Sequence, residues 1–351
     1  MKVGLIGYAG VGKTTLYHAA ARGQAKGDIT AVPVPDERFE RIVEAVKPKK
    51  ASPATVLLHD DLDDIGTEKK AFSQRFLDAA RRMDLLLHVV RSFDSPMAPF
   101  AREVNPMRDQ AAIEDELVLT DLQIVESRIE RLTKSVQAQS PGSAEYTERE
   151  VLRRIVGPLG EGTPLRLLQL SEEEEAILRN FQFLSQKPLI VAYNVDEANA
   201  ASVDGALQEQ MGRLRESGVP AFAVCATLEQ EIAELEESDQ SEFLESLGLQ
   251  EPASSKVIRT AYDAMGLITF YTAGENETKA WPLRRGSNAL KAAATIHNEI
   301  AKGFIRAEVV SYEDWAEHGS LSAAHKAGRM RLEGKEYLVQ DGELLVIRNK
   351  S

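Results

Sequence analysis

The chain opens with an apolar segment, residues 1–6 (MKVGLI), that passes directly into a glycine-rich turn, residues 7–14 (GYAGVGKT). The first segment has the apolar character of a buried strand, and a helical pattern begins near Thr15. Glycine at positions 7 and 12 permits left-handed backbone angles, so that successive N–H groups can point inward at an anion. A strand, a GxxxxGKS/T turn and a helix in this order predict a phosphate-binding loop and therefore an α/β nucleotide-binding domain.

The side chains of this turn indicate a nucleoside triphosphate with Mg²⁺ as the ligand. Lys13 is placed to reach the β- and γ-phosphates and is the predicted catalytic group, because it stabilises the charge that develops on a transferred phosphoryl group. The hydroxyl of Thr14 is placed to hold Mg²⁺, and the following helix aims its positive end at the phosphates. The alternative is a chance glycine-rich turn between a strand and a helix. The predicted nucleotide-binding residues of the turn are Gly7, Gly10, Val11, Gly12, Lys13, Thr14 and Thr15.

Length and composition limit the classes of protein to which the chain can belong. With 351 residues it suits two or three domains, and 43% hydrophobic with 28% charged residues is typical of a soluble globular protein. Cys225 is the single cysteine, so no disulfide can form within the chain, and a reducing cytoplasm is the expected setting. No apolar run approaches the length of a membrane span, and the formal net charge of -13 argues against wholesale coating of nucleic acid.

Short apolar runs recur along the chain, at residues 55–59, 84–91, 188–195 and 220–225. Helical patterns lie between them. Continuous apolar runs of this kind are typical of strands that are buried on both faces. Together with the strand before the glycine-rich turn, they predict a mostly parallel sheet covered by helices.

A long helical stretch of a different kind is predicted between residues 109 and 185. Apolar residues fall at helical spacing over 113–132 and again over 151–159, with a break at 139–143 (QSPGS), which predicts an inserted antiparallel helical hairpin. Ser171 and Glu174 then form a capping-box signature, and an apolar stripe over 177–184 predicts the helix that returns the chain to the sheet.

The last part of the chain predicts a small α+β unit. Residues 266–271 (GLITFY) have the character of a strand, and a helical pattern covers 288–302. Further on, apolar residues 337–339 and 344–347 flank Asp341-Gly342, a dipeptide that favours a β-hairpin.

Distinctive motifs are spread over nearly the whole chain. They are GYAGVGKTTL at 7–16, VPVPDERFERIVEAVKPKKASPAT at 32–55, HVVRSFD at 88–94, YNVDE at 193–197, GFIRAEVVSYEDW at 303–315 and RLEGKEYLVQDGE at 331–343. In this set of motifs the chain resembles the YchF subfamily of Obg-like ATPases.

The resemblance implies three parts of the chain. A Ras-like G domain, the P-loop nucleotide-binding domain, is expected at residues 1–108 and 186–265, an inserted α-helical coiled-coil hairpin at 109–185, and a ubiquitin-like β-grasp module, the TGS domain, at 266–351. The resemblance also implies ATP and ADP with Mg²⁺, a preference over GTP, and association with ribosomes or ribosomal RNA. We expect a cytoplasmic monomer that binds neither DNA nor a membrane. The candidate RNA-contacting residues are Arg284, Arg285, Lys326, Arg329 and Arg331.

The loop that would select the base can be interpreted from its residues. In GTPases an NKxD loop uses its Asp to accept two hydrogen bonds from guanine, whereas residues 194–197 read NVDE and lack the Lys. Glu197 stands at the Asp position and is longer by one methylene, so guanine loses its discriminating contact. Asn194 is available either to the base or to tie neighbouring loops together. A strand-to-helix turn with an Asp or Asn cap is the alternative. The predicted base-side residues are Asn194, Val195, Glu197, Ala226 and Thr227.

An acidic run, residues 60–64, lies where the family contacts the γ-phosphate. Asp60 aligns with the metal-facing Asp of the family, but Asp63 replaces a glycine and Asp64 a hydrophobic residue. Four carboxylates around a polyanion would repel it, since two like charges about 4 Å apart at an effective dielectric near 20 repel by about 4 kcal/mol. Either a metal compensates, or the loop stays away from the phosphates. A plain acidic surface loop is the third interpretation.

Further departures from the family affect hydrolysis. The first switch is shortened to residues 22–30, in which Thr30 is the only hydroxyl; Gly10 replaces an Asn; and no histidine occurs near Pro99. With the binding loop intact, these changes predict a nucleotide binder with slow or absent turnover. We interpret the chain as an ATPase, with a non-hydrolysing nucleotide-dependent interaction module as the first alternative. An ordinary GTPase, the second, is disfavoured by Glu197 and the missing Lys.

Overall fold

The computed structural model describes residues 1–22, 25–66, 72–95, 98–249 and 251–350. The chain divides into two units, which are Met1–Thr30 with Leu57–Val257, and Ala31–Val56 with Ile258–Ser351. It therefore enters the second unit after Thr30 and returns to the first at Leu57. The segment 31–56 falls within the range predicted for the nucleotide-binding domain, yet it is part of the second unit.

Strands and helices account for most of the described residues. The twelve strands found there are β1 (Lys2–Ile6), β2 (Ile29–Pro33), β3 (Ala51–Ser52), β4 (Thr55–His59), β5 (Leu85–Arg91), β6 (Leu189–Asn194), β7 (Ala221–Val224), β8 (Leu267–Thr272), β9 (Thr278–Arg284), β10 (Phe304–Val310), β11 (Arg331–Glu333) and β12 (Leu344–Asn349). The fourteen α-helices found there are α1 (Lys13–Ala20), α2 (Glu37–Val46), α3 (Gln74–Arg81), α4 (Pro106–Thr133), α5 (Ala144–Gly160), α6 (Glu172–Leu178), α7 (Gly205–Glu216), α8 (Ala226–Glu234), α9 (Glu237–Ser246), α10 (Ala253–Ala264), α11 (Ala289–Ile296), α12 (Asn298–Lys302), α13 (Tyr312–His318) and α14 (Leu321–Lys326).

The first sheet has the strand order β2-β4-β1-β5-β6-β7. β1 pairs in parallel with β4 and β5, and β5, β6 and β7 continue the parallel pairing. Every residue of β5 and β6 is buried, as the continuous apolar runs predict. The predicted α/β P-loop fold is therefore confirmed. Because parallel strands end at the same edge of a sheet, the turns after β1, β5 and β6 lie near one another.

The inserted helical hairpin is α4 and α5, joined by residues 134–143. Its apolar faces form a core with Leu165, Leu178 and Phe183 from the returning chain. The capping box of Ser171 and Glu174 is present, but α6 ends at Leu178, earlier than the apolar stripe predicts. No helix among the described ranges is long and apolar enough to cross a membrane.

The return from the hairpin is fixed by a buried carboxylate on α4. Asp121 is fully buried and accepts hydrogen bonds from the N–H groups of Leu184 (3.0 Å) and Ser185 (2.7 Å). Gln182, at φ 52°, turns the backbone just before them. These contacts hold residues 182–185 in a non-helical path, which explains why the predicted helix stops early.

The second unit is built on a sheet with the strand order β11-β10-β12-β8-β9-β3. One face of it forms an apolar core with α11. The segment 31–56 adds α2 and the edge strand β3, which pairs in parallel with β9. On α2, Phe39 stacks on Tyr271 of β8 with ring centres 6.4 Å apart, and Asp36 accepts a hydrogen bond of 2.5 Å from the Tyr271 hydroxyl. Arg38 donates to Asp341 at 2.8 Å.

The predicted hairpin around Asp341-Gly342 is wrong. Residues 337–339 form no strand, and β12 pairs instead with β10 and β8. Gly342, at φ 86°, makes the expected turn, but its N–H donates to the carbonyl of Thr269, whose own N–H donates to the Asp341 carboxylate. The turn is thus attached to β8, and this tertiary contact replaces the local pairing that the dipeptide favours.

Candidate functional site

The turn after β1 has the geometry of an anion cradle, and its two outer glycines are required. Gly7 (φ 150°) and Gly12 (φ 93°) have backbone angles that other residues rarely adopt. A Cβ at Gly7 would lie 2.5 Å from the Val89 carbonyl oxygen, and a Cβ at Gly12 would lie 2.2 Å from Nδ2 of Asn194. The turn therefore packs against β5 and against the end of β6 with no room for side chains.

Lys13, the first residue of α1, lies within this turn. It is only 7% exposed, and its Nζ donates to the carbonyls of Gly7 (3.1 Å) and Tyr8 (3.0 Å). The third contact is an ion pair of 2.5 Å with Oδ1 of Asp64, whose side chain is 59% exposed. An ammonium has three donors, so these contacts use all of them. A carboxylate oxygen thus already lies where a phosphate oxygen would contact the lysine.

Thr14 and Asp60, the two residues predicted to hold Mg²⁺, are in contact. The Thr14 hydroxyl donates to Oδ2 of Asp60 at 2.6 Å. Burial raises the pKa of Asp60, and the hydrogen bond from Thr14 opposes this shift. A hydroxyl and one carboxylate suit Mg²⁺, which takes most of its ligands from phosphate and water. No cluster of three His, Cys, Asp or Glu side chains that could hold a metal occurs in the described part of the chain.

The four carboxylates of residues 60–64 do not gather around one point, so the fourfold cluster around a polyanion that the sequence suggests is absent from these side-chain contacts. Asp61 contacts Nδ1 of His59 at 3.0 Å, and Asp63 faces Ser73 and Arg75 at 3.3 and 3.2 Å. Only Asp64 contacts Lys13. The charge that would meet the phosphates is therefore smaller than that of a fourfold cluster, with Asp60 beside Thr14 and Asp64 on Lys13.

Asn194 ties loops together, the second of the two roles that the sequence left open. Its Nδ2 donates to the carbonyl of Val11 at 2.9 Å, and its Oδ1 accepts from the N–H of Ala226 at 3.0 Å. Asp196 caps the short 3₁₀ helix Glu197–Asn199, as the cap interpretation predicts.

The remaining predicted base-side residues surround this tie. Glu197 is exposed at the start of the 3₁₀ helix, whereas Val195 is 3% exposed. Thr227 is exposed, with its hydroxyl 3.2 Å from Sγ of Cys225. Glu197 and Thr227 are thus the predicted base-side side chains that solvent can reach. Thr15 lies half-buried on α1.

The hydroxyl of the first switch, that of Thr30, is in contact with Tyr17 of α1. Thr30 is 8% exposed, and its Oγ1 lies 2.8 Å from the hydroxyl of Tyr17, which also donates to the carbonyl of Gly27. Thr30 is therefore engaged by α1. Two residues of this switch, Gly23 and Gln24, lie outside the described residues.

Two arginines beside the turn were not singled out from the sequence. Arg91, the last residue of β5, donates to the carbonyl of Gly10 at 2.8 Å. Arg102 lies 4.1 Å from the ring centre of Tyr8 and pairs with Asp109 of α4 at 2.7 Å. The signal for Arg91 in the sequence was a cation at the end of a buried apolar run. The turn beside that end of the strand has to accommodate such a side chain.

The glycine turn, the enclosed lysine and the paired Thr14 and Asp60 fit a polyphosphate and its metal. The parallel sheet and this site define a P-loop nucleotide-binding protein.

Comparisons with known proteins identify the family. The family model YchF-GTPase_C, described as "Protein of unknown function (DUF933)", matches residues 267–350, and a model described as "ATPase family associated with various cellular activities (AAA)" matches residues 3–104. The ribosome-binding ATPase YchF of Bacillus subtilis is 35% identical over an alignment of 366 residues that covers 99% of both chains. Its namesake in Haemophilus influenzae is 35% identical over 364 residues, covering 99% of this chain and 98% of the relative.

A solved structure gives the same assignment. The YchF GTPase of Schizosaccharomyces pombe superposes with a TM-score of 0.90 at 27% identity, covering 99% of this chain and 97% of that one. The chain belongs to the YchF family.

Proposed function

We propose that the chain binds the adenine nucleotides ATP and ADP with Mg²⁺ in the turn after β1. The observation that carries this proposal is Lys13, a buried ammonium held inside the turn with a carboxylate oxygen of Asp64 at 2.5 Å. The site is thus complementary to an anionic oxygen at the point where the family's ligand has its phosphates. The bacterial relatives are named ATPases, which supports adenine as the base.

Calorimetry with ATP and ADP in the presence of Mg²⁺ tests the binding proposal. Lys13→Ala should abolish binding of both nucleotides, because it removes an ammonium that lies inside the turn. Lys134→Ala, which removes an exposed lysine paired with Glu130 far along the sequence, is the matched control and should bind as the wild type does. Affinity that survives Lys13→Ala would overturn the proposal.

The choice of base rests on Glu197 and Asn194. Asn194 is engaged with Val11 and Ala226, and Glu197 replaces the Asp that pairs with guanine. We expect ADP to bind about tenfold more tightly than GDP, roughly 1.4 kcal/mol. The Schizosaccharomyces pombe relative is titled a GTPase, so the comparison of the two diphosphates is informative. Tighter binding of GDP would contradict this part of the proposal.

Hydrolysis is proposed to be slow, with Lys13 as the catalytic group and Thr14 and Asp60 as metal-holding residues. The ion pair of Lys13 with Asp64 and the engagement of Thr30 by Tyr17 favour slow turnover. The alternative is a non-hydrolysing interaction module. Single-turnover hydrolysis with Mg²⁺, measured in potassium and in sodium, distinguishes them: release of phosphate dependent on Lys13 supports the ATPase, and none supports the module.

The proposed partner is the ribosome, in the cytoplasm. The bacterial relatives carry ribosome binding in their names. All five candidate RNA-contacting residues are exposed; Arg329 faces Asp314 at 3.6 Å, and Arg331 pairs with Glu343 at 2.5 Å. Reversing the charge of Arg284, Arg285 and Lys326 should weaken co-sedimentation with ribosomal particles and flatten its salt dependence. A wild-type protein that fails to co-sediment at low salt in every nucleotide state would contradict the proposal.

A further inference from the structure

Arg91 is enclosed at the end of β5, beside the phosphate-binding turn. The residue is 1% exposed, and its guanidinium lies 4.0 Å from the ring centre of Phe93 and 5.0 Å from that of Phe100. Burial lowers its pKa, but a guanidinium in a protein keeps its proton. Arg91 is therefore a permanent, oriented cation, and the proposed function assigns it no role.

The guanidinium donates to three backbone carbonyls in different parts of the chain. Nη1 donates to Gly10 at 2.8 Å, Nη2 to Ala98 at 2.6 Å, and Nε to Phe93 at 3.1 Å. The planar fork of an arginine fixes these directions relative to one another. One side chain thus attaches the phosphate-binding turn to the segment that follows β5.

The bond to Gly10 has a consequence for the next N–H group. Every peptide bond in the described ranges is trans, and in a trans peptide the carbonyl of one residue and the N–H of the next point in opposite directions. Since Arg91 holds the Gly10 carbonyl, the Val11 N–H must face away from Arg91. Asn194 orients the following peptide in the same way. It donates to the Val11 carbonyl at 2.9 Å and so sets the direction of the Gly12 N–H.

We propose that Arg91 is a positioning residue for the phosphate site: by holding the Gly10 carbonyl, it sets the Val11 N–H in the orientation that donates to a phosphate oxygen. This inference rests on the proposed nucleotide-binding function. The role depends on the shape of the fork as well as on its charge. A lysine at the same position keeps the charge, but its three donors leave a single nitrogen and cannot reproduce the spacing of the planar fork.

Binding of ATP and ADP to Arg91→Lys and Arg91→Ala, compared with the wild type by calorimetry, tests the proposal. Both variants should lose on the order of tenfold in affinity, the effect of one hydrogen bond to a charged group, and lysine should not restore it. Millimolar guanidinium ion should recover binding by Arg91→Ala but not by Arg91→Lys. Arg166→Lys, a change at a buried arginine that pairs with Glu114 of α4, is the matched control and should change affinity less than twofold.

Hydrogen exchange of the protein without nucleotide gives an independent readout. Amides of residues 7–12 should exchange faster in Arg91→Lys than in the wild type and in Arg166→Lys, because the turn has lost its outer anchor. Phe100→Leu removes one ring against the guanidinium from a half-buried position, and it serves as the milder variant if Arg91→Lys does not fold. It should weaken ATP binding about threefold.

The outcomes separate this inference from the proposed function. If the wild type binds nucleotide and Arg91→Lys binds equally well with an unchanged exchange pattern, the positioning role is wrong and the binding proposal stands. If Phe100→Leu, the milder variant, binds ATP as tightly as the wild type does, the positioning role is likewise wrong. If the wild type binds neither ATP nor ADP, the proposed function itself fails.

Discussion

At the scale of single residues, a carboxylate of the chain itself, that of Asp64, lies on Lys13 where a phosphate oxygen would bind. Asp64 and Lys13 pair inside a turn whose backbone is arranged for phosphate, and the carboxylate comes from a largely exposed side chain. An exposed partner makes this ion pair weak and reversible. The nucleotide is therefore expected to displace Asp64 from the lysine, and the triphosphate, with its additional charge, is the ligand most affected.

Asp64→Asn should strengthen ATP binding by about fivefold, roughly 1 kcal/mol, because the amide no longer competes for the Lys13 ammonium. ADP should gain less, since it lacks the γ-phosphate. Calorimetry at constant free Mg²⁺ measures both. Asp63→Asn, in which the changed group faces Ser73 and Arg75, is the control and should have little effect. Equal gains for ADP and ATP would show that Asp64 never meets the γ-phosphate.

A second prediction concerns His88 in β5, directly under the site. Burial lowers its pKa to about 3, with Lys13 as a further cause. The unfolded chain, with an ordinary histidine pKa near 6.5, binds the proton first, so this contribution to stability is present above about pH 6.5 and is lost as the pH falls toward 3.

Urea unfolding between pH 7 and 4 should reveal this proton uptake. The free energy of unfolding should fall by up to about 1.4 kcal/mol per pH unit through His88, and His88→Leu should remove that part of the slope. An identical pH dependence in wild type and His88→Leu would rule out His88 as the source.

The residues of the turn were predictable from sequence, because their roles follow from covalent spacing and from glycine geometry. The contacts of Asp64 and Arg91 were not, since each depends on which carbonyl or ammonium the fold brings near. For Asp63 the resemblance to the family predicted a position near the γ-phosphate, whereas its carboxylate faces Ser73 and Arg75.

At the scale of elements, periodicity was a reliable guide and local turn chemistry was less so. The hairpin of α4 and α5 and the buried strands β5 and β6 appear where their apolar patterns predict them. The short α6 and the missing strand at 337–339 have a common cause. In both places a carboxylate, Asp121 or Asp341, accepts a backbone N–H that is distant in sequence and so overrides the local preference.

Asp121→Ala should be strongly destabilising, by about 2–4 kcal/mol, because two buried N–H groups of Leu184 and Ser185 lose their acceptor. Urea unfolding followed by circular dichroism measures the change. Asp115→Ala, at an exposed position on the same helix, should cost less than about 0.5 kcal/mol. Equal stability of the two variants would show that Asp121 does not fix the return from the hairpin.

At the scale of the whole molecule, the chain does not divide at a single point. Sequence motifs predict a C-terminal module beginning near residue 266, but residues 31–56 belong to the same unit. No local feature of the sequence shows that residues 31–56 join the second unit. An amphipathic helix and a short strand have the same sequence pattern whichever sheet they join. The segment 31–56, which lies between Thr30 and Leu57, separates the first switch from Asp60 in the sequence.

Phe39→Ala on α2 tests this division, because both tryptophans of the chain, Trp281 and Trp315, lie in the second unit. Removing a nearly buried ring that stacks on Tyr271 should cost about 3 kcal/mol, so the urea transition followed by tryptophan fluorescence should move to lower concentration. Arg41→Ala, exposed on the same helix, should not move it. An unchanged tryptophan transition in Phe39→Ala would mean that α2 does not stabilise the second unit.

Because residues 31–56 belong to the second unit, they are synthesised long before the rest of that unit. Asp36 and Tyr271 are 235 residues apart in the sequence, and Arg38 and Asp341 are 303 apart, so α2 is complete long before its partners have been made. The apolar face of α2, with Phe39 and Ile42, lacks the Tyr271 ring until β8 has been made. The strands of the first sheet are made before β8, so the first switch and Asp60 are joined to an incomplete second unit until β12 has been made.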